Sequence, residues 1–284
     1  MEKGIALHDG YRQLKEAQQA ALERLGKLLC AYDDMILQQQ PHLEAQYIHT
    51  FGALEQRCYG AYVQEAQLRR KIHLVRACLN RDEQPDLAEI DVQLCREFQA
   101  YEEKMRHMEE ARAHAALRLG DKPMSAAEAK RFKSLYRNLA KKLHPDLQPV
   151  QTEEVKRLWQ RAMDAYRIGD LEKLEILNEM VQAQETSSGA ETEREAAHEG
   201  TADAMESLRK ELEKTEERTA RCIAAIDRLE QEYPFKFAAL LNDPVGIAAH
   251  KRELQMQFAL YREQIEALEA HLALLLRGKA NLVH

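Results

Sequence analysis

Residues 125–146 read SAAEAKRFKSLYRNLAKKLHPD, and the fold is decided by how they are read. Phe132, Leu135, Leu139 and Leu143 recur every three or four positions and so share one face of a helix. Lys130, Arg131, Lys133, Arg137, Lys141 and Lys142 fill the remaining faces. Ser125 and Glu128 have the spacing of a capping box, in which each side chain satisfies the other's backbone amide at the helix start. At the other end Pro145 stops the helix, and Asp146 then begins a loop. The six bases stand against only Glu128 and Asp146, in a chain whose net charge is −7. This local reversal of sign sets the helix apart from the rest of the chain.

The same helical period extends in both directions. Downstream, Val155, Leu158, Trp159, Ala162, Ala165 and Tyr166 predict a helix over 153–168 that Gly169 terminates. Upstream, breaks are expected at Pro41, at 80–85 and at 120–123. Between them lie three stripes: Leu14, Ala17, Ala21, Leu25, Leu28, Tyr32 and Met35; then Phe51, Leu54, Cys58, Ala61, Leu68, Ile72, Val75 and Leu79, with Glu65 as a misfit; then Leu87, Ile90, Leu94, Phe98, Tyr101, Met105 and Met108. Three amphipathic helices on short loops cannot bury such stripes alone, so an antiparallel N-terminal bundle is expected. Residues 184–203 turn to Glu, Thr, Ser, Gly and Ala without apolar period, the composition of an acidic flexible linker. Beyond them Met205, Leu208, Leu212, Thr215, Thr219, Cys222, Ile226, Leu229 and Tyr233 form a coiled-coil seam. Asn242-Asp243-Pro244 separates it from a second run, Ile247, Leu254, Phe258, Tyr261, Ile265, Leu268, Leu272 and Leu275. The two are expected to close as an antiparallel coiled-coil hairpin, or to pair between chains as a homo-oligomer. Eleven Gly and seven Pro in 284 residues are about half the usual usage, too few for the turns of a sandwich, a barrel or a many-looped α/β enzyme. The expected class is therefore all-α, in four parts: an N-terminal helical coiled-coil arm over 1–116, a central helical hairpin over 117–183, the linker over 184–203 and the C-terminal hairpin over 204–284.

Two antiparallel helices joined by a His-Pro-Asp loop, the first with a basic face, resemble the J domain of the DnaJ co-chaperone family. Leu135 to Asp146 is similar to the family's second helix and signature loop almost position by position. Ala165-Tyr166 matches the Ala-Tyr of its third helix, Trp159 stands where the family usually has a core Phe, and Leu117 to Gly120 is the stand-in for its short first helix. Around these the Gly/Phe-rich and zinc-binding regions of the family are missing, so the resemblance is to a divergent member with coiled-coil arms. It covers about a fifth of the chain. It implies a helper of the DnaK-type heat-shock chaperone ATPase, docking through His144, Pro145 and Asp146 in an exposed loop, with Lys133, Tyr136, Arg137, Lys141 and Lys142 as a steering patch. ATP hydrolysis is then the partner's, and this chain is not an enzyme. The helical arms offer faces for an unfolded or specific protein client, or for localisation. A coiled-coil scaffold with a structural J-like hairpin is the alternative.

Other function classes are poorly served. A net negative chain is a poor binder of nucleic acid by bulk charge. Arg69-Arg70-Lys71 beside His73 and Arg76 reads as a solvated helix face, given Glu65 before it and Asp82-Glu83 after it. No secretory core or bilayer-length apolar run is seen, so a cytoplasmic protein without membrane contact is expected. The five cysteines have no Cys-x-x-Cys spacing, mostly fall at apolar helical positions, and read as reduced, buried thiols. No His, Cys and carboxylate pattern of metal-ligand spacing, phosphate loop or nucleophile motif occurs, and no cofactor is expected.

Overall fold

The structure, a computed structural model of the 284-residue chain, describes residues 2–120, 123–187 and 202–280. It is all-α, with no strand among the described residues. The elements are α1 (Glu2–Asp34), a π-helical turn (Met35–Gln39), α2 (Gln40–Asn80), α3 (Leu87–Gly120), α4 (Ala126–Leu143), α5 (Glu153–Ile168), α6 (Leu171–Ser187), α7 (Ala202–Gln231), a 3-10 turn (Phe235–Phe237), α8 (Ala238–Leu241) and α9 (Pro244–Ala280). Residues 188–201, most of the expected linker, lie outside the described residues. No described helix is long and apolar enough to cross a membrane.

The helices divide into two compact units, each discontinuous in sequence: Met1–Pro41 with Lys122–Lys236, and His42–Asp121 with Phe237–His284. The break expected at Pro41 is absent, and the helix runs through it. The π turn is the reason. There the Gln40 amide bonds back to the Met35 carbonyl, one residue further than in an α-helix, and this local widening makes room for a ring that has no N–H and would clash with a regular turn.

In the first unit α1 and α7 pack along each other. Leu25, Leu29 and Cys222 are buried together, with Leu28, Tyr32, Leu147 and Ile226 against them. Thr215 and Thr219 are buried in the same seam and donate to the carbonyls of Glu211 and Thr215, each at 2.8 Å. Gln18 from α1 donates to the Thr215 hydroxyl. The α7 stripe therefore turns inward as its period predicts, with Thr215, Thr219 and Cys222 buried, Leu208, Leu212, Ile226 and Leu229 half-buried and Tyr233 at its end exposed, but its partner differs from the expected hairpin. It pairs with α1, and α9 belongs to the other unit. A seam of small and β-branched residues specifies that a helix will pack, not which helix it packs against.

The rest of this unit is the three-helix cluster α4–α5–α6. Its core takes Phe132, Tyr136, Leu139, Ala140 and Leu143 from α4, Leu158, Trp159, Ala162, Ala165 and Tyr166 from α5, and Leu174, Leu177 and Val181 from α6. Tyr166 stacks on both Phe132 and Tyr136, with ring centroids 4.6 and 3.9 Å apart. The capping box forms as spaced, Ser125 N–H donating to Glu128 and Glu128 N–H to Ser125. Gly169 closes α5 in the left-handed conformation, φ 77°. Cys30 and Leu37, from α1 and the π turn, complete the core. The position expected for Leu117–Gly120 is thus filled from elsewhere in the chain. Those four residues end α3, and Leu117 is 71% exposed. The hairpin unit accordingly needs Cys30 and Leu37, from far upstream of α4, which the expected bounds of 117–183 leave out.

In the second unit α2 and α3 are joined by a short loop in which Asp86 caps α3, accepting from the amides of Ala88 and Glu89. Val63, Val75, Ile90, Leu94 and Phe98 form the core there, with Leu272 and Leu276 of α9 against it. Of the cysteines expected to be buried, Cys30, Cys58 and Cys222 are, whereas Cys78 is half-buried and Cys95, on the outer face of α3, is exposed. Because α2 is covered on two faces, it buries Tyr47, Val63 and Glu65 besides the single stripe read from sequence. Glu65 is bonded to Arg69. Arg70 forms a bidentate pair with Glu97, both bonds 2.8 Å, and Lys71 reaches Asp91 at 2.6 Å. That basic run is thereby neutralised within its own unit, as the solvated-face reading expects.

Candidate functional site

The loop after α4 is built by its own backbone. The His144 amide closes the helix on the Ala140 carbonyl, and His144 itself is extended (φ −68°, ψ 129°), the conformation that a following proline enforces. Its carbonyl then accepts from Leu147 and Gln148. The imidazole folds back over the turn, its Nδ1 accepting the Asp146 amide at 3.0 Å and its ring edge against Trp159, centroids 5.0 Å apart. Gln151 ties the far side of the loop to the Leu143 carbonyl at 2.6 Å. Burial lowers the His144 pKa below its ordinary value, with the Asp146 charge opposing. A neutral ring is also what the Nδ1 acceptor role requires, which assigns the proton to Nε2.

His144 is therefore buried, only 8% exposed, where an exposed histidine is expected from sequence. Pro145 and Asp146 are exposed. The histidine shapes the turn, and the turn presents the proline and the aspartate. Of the basic set, Arg137 and Lys141 are exposed, Lys142 is half-buried, and Lys133 is exposed but paired with Asp34 at 3.0 Å. Tyr136, expected between the bases on the outer face, is 1% exposed. Its ring packs on Tyr166 and Trp159 and its hydroxyl donates to Asp33 at 2.8 Å. An amphipathic phenol at the edge of an apolar stripe turns inward when a buried acceptor is waiting for it.

That acceptor is part of a second set of residues, contributed by other helices, which sequence reading does not single out. Asp34 accepts from Tyr166 at 2.6 Å, and Gln38 donates to the Tyr166 carbonyl. Arg218 of α7 donates to the Asp146 carbonyl at 2.9 Å. Leu147 packs with Leu25, Leu29 and Cys222, close enough to α1 that a Cβ on Gly26 would lie 3.4 Å from it. Burial, with the Asp146 charge adding and the Tyr136 bond opposing, pushes the Asp33 carboxyl up to about 6. At Asp34 burial also pushes upward, but bonds from Tyr166, Gln39 and Lys133 outweigh it and the pKa falls. The doublet Asp33-Asp34, lying inside an apolar stripe, is the sequence signal for this set.

No family model, curated protein or solved structure matches the chain. The site itself offers a definite chemistry. It has one fixed turn, one outward carboxylate, and exposed bases along the helix leading to it.

Proposed function

We propose that this chain is a co-chaperone of the J-domain type, which docks on a DnaK-type heat-shock chaperone and stimulates its ATP hydrolysis. The observation that carries this reading is Asp146: an exposed carboxylate on a backbone held by His144 and Gln151, at the end of a basic helix and directly after a proline. A loop already rigid loses little entropy on docking. Arg137 and Lys141 supply long-range attraction to an acidic surface, which raises the association rate and makes it sensitive to salt. In this scheme His144 is a positioning residue and Asp146 makes the contact. The bond-breaking chemistry stays in the partner's nucleotide site, and the helical arms are left to hold a client or a location.

The test is single-turnover ATP hydrolysis by a purified DnaK-type chaperone, at low and high salt, with the full chain or its Asp146→Asn variant. Because Asp146 is exposed, that variant leaves the fold intact. Stimulation that salt weakens and Asp146→Asn abolishes is the expected result. Stimulation by the variant equal to that by the parent overturns the reading.

A scaffold whose J-like hairpin is structural is favoured by one observation, the inward placement of Tyr136 and His144. It expects indifference to Asp146→Asn, and loss of assembly when Leu212, Ile226 or Leu268 is made polar.

A further inference from the structure

The loop and the basic face are not open on all sides. Within the same compact unit, the C-terminal end of α1 meets α4 and occupies Lys133 and Tyr136 through Asp34 and Asp33. Together α1 and α7 hold the loop, Arg218 through the Asp146 carbonyl and Leu25, Leu29 and Cys222 through Leu147. Four contacts thus converge on the Lys133–Tyr136 side of α4 and the inner side of the loop, next to the Arg137, Lys141, Pro145 and Asp146 side chains that a partner would read and that stay exposed. Two of them use the same chemistry as such a partner, acidic oxygens against the base and the phenol of α4. We propose that the α1–α7 pair is an intramolecular cover beside the His144–Pro145–Asp146 site, an acidic stand-in that occupies the flank the chaperone must also reach and must shift before docking is complete.

This inference rests on the co-chaperone reading above and specifies how the site is regulated. Its physical basis is competition for that flank. A partner's apparent affinity is reduced by the fraction of molecules in which the cover is open, and weakening the cover raises that fraction without altering the docking residues. The contacts to Asp146 and Leu147 are the place to weaken it. They lie on α1 and α7, away from the hairpin core, and each is a single bond or a single side chain.

The experiment measures stimulation of single-turnover ATP hydrolysis by a purified DnaK-type chaperone against concentration of the full chain, with circular dichroism confirming the fold of each variant. Arg218→Glu removes the donor and sets a negative charge against the Asp146 carbonyl. Gly26→Leu fills the space that Leu147 uses. Arg221→Glu, exposed on the same helix, makes the same change of charge without touching the loop. Losing one hydrogen bond of ordinary net strength should shift the half-maximal concentration down roughly three- to tenfold. The expected result is that shift in Arg218→Glu and in Gly26→Leu, with the same plateau as the parent. Arg221→Glu should follow the parent, and adding Asp146→Asn to Arg218→Glu should abolish the gain. If the parent stimulates and both opened variants follow its curve, the cover is overturned while the co-chaperone reading stands. If neither the parent nor an opened variant stimulates, the co-chaperone reading fails and the cover with it. A structural role for Arg218 alone would lower the plateau or the helicity and would not move the midpoint to lower concentration.

Discussion

Asp33 is costly to bury when charged and cheap when protonated, and the pH at which that balance turns is set by what surrounds it. Tyr136 faces it from α4, Asp146 from the loop, and Cys222 on α7 feels its charge. Its carboxyl is raised to about 6, so between the ordinary carboxylate range and that value the folded state binds a proton that the unfolded state releases. Stability from this group is complete below the ordinary range and is lost as pH rises through about 6. Asp33→Asn keeps the acceptor for Tyr136 and removes the ionised form. It should therefore raise stability at pH 7.5 by on the order of 2–3 kcal/mol and leave it nearly unchanged at pH 3. Urea unfolding at the two pH values checks this, and a gain equal at both would refute the assignment. Asp34 has the opposite sign, its lowered pKa adding stability that is lost on acidification, which is why the variant must be compared with the parent at each pH. A second expectation concerns His144. Replacing the buried ring by Gln should cost about 1–2 kcal/mol through lost packing on Trp159, so thermal melting of His144→Gln should fall by several degrees. The motif itself was legible from three adjacent residues, but the inward turn of His144 and Tyr136 was not. That orientation depends on Trp159 and Asp33, which lie far from them in sequence.

For individual helices, the parts that local chemistry determines were legible and the pairings were not. The capping box at Ser125 and Glu128, the stop at Pro145 and the Gly169 cap all formed where their residues predict, since each is satisfied within one turn of chain. Gly169 allows a direct test. Its φ of 77° strains any side chain, and an added Cβ would meet Met124 at 3.4 Å, so Gly169→Ala should destabilise by about 1 kcal/mol in chemical denaturation. No loss would mean that α5 ends differently in solution. The buried threonines of α7 separate two roles that a seam pattern merges. Thr219 bonds only back to its own helix, so Thr219→Val should be neutral or stabilising by up to about 1 kcal/mol, whereas Thr215→Val takes away the acceptor of Gln18 and should destabilise. The same denaturation measurement on both variants gives the comparison, and equal effects would reject it. Pro41 shows how a strong local rule was overridden. A proline predicts a break, yet the π turn five residues wide before it lets the helix continue.

For the whole molecule, the chain crosses between its two compact units within α2 near Pro41, between α3 and α4, and again after Lys236. Neither unit is a continuous segment, and each takes a helix from the C-terminal third: α7 buries its seam on α1 in one, and Leu272 and Leu276 of α9 pack on the α2–α3 core in the other. A period of three and four residues reads the same whichever helix fills it, so the sequence pattern alone joined the last two runs into a hairpin of their own. The two arrangements make opposite predictions for a chain ending at Ser187. A self-contained C-terminal hairpin would detach and leave the remainder melting as before. With the pairings observed, the truncated chain exposes Leu25 and Leu29 of α1 together with the face of α2 that carries Cys58, whose thiol donates to the Leu254 carbonyl at 3.1 Å, and Arg57, stacked over Phe258. Burial of apolar area is the main favourable term for helices of this kind, and uncovering two stripes at once leaves both units short of a core. The residue 1–187 chain should therefore melt well below the parent, with a broadened transition, dye binding to exposed apolar surface and self-association on a sizing column. A cooperative transition at the parent temperature would reinstate the independent hairpin and remove the structural basis for a cover formed by α1 with α7.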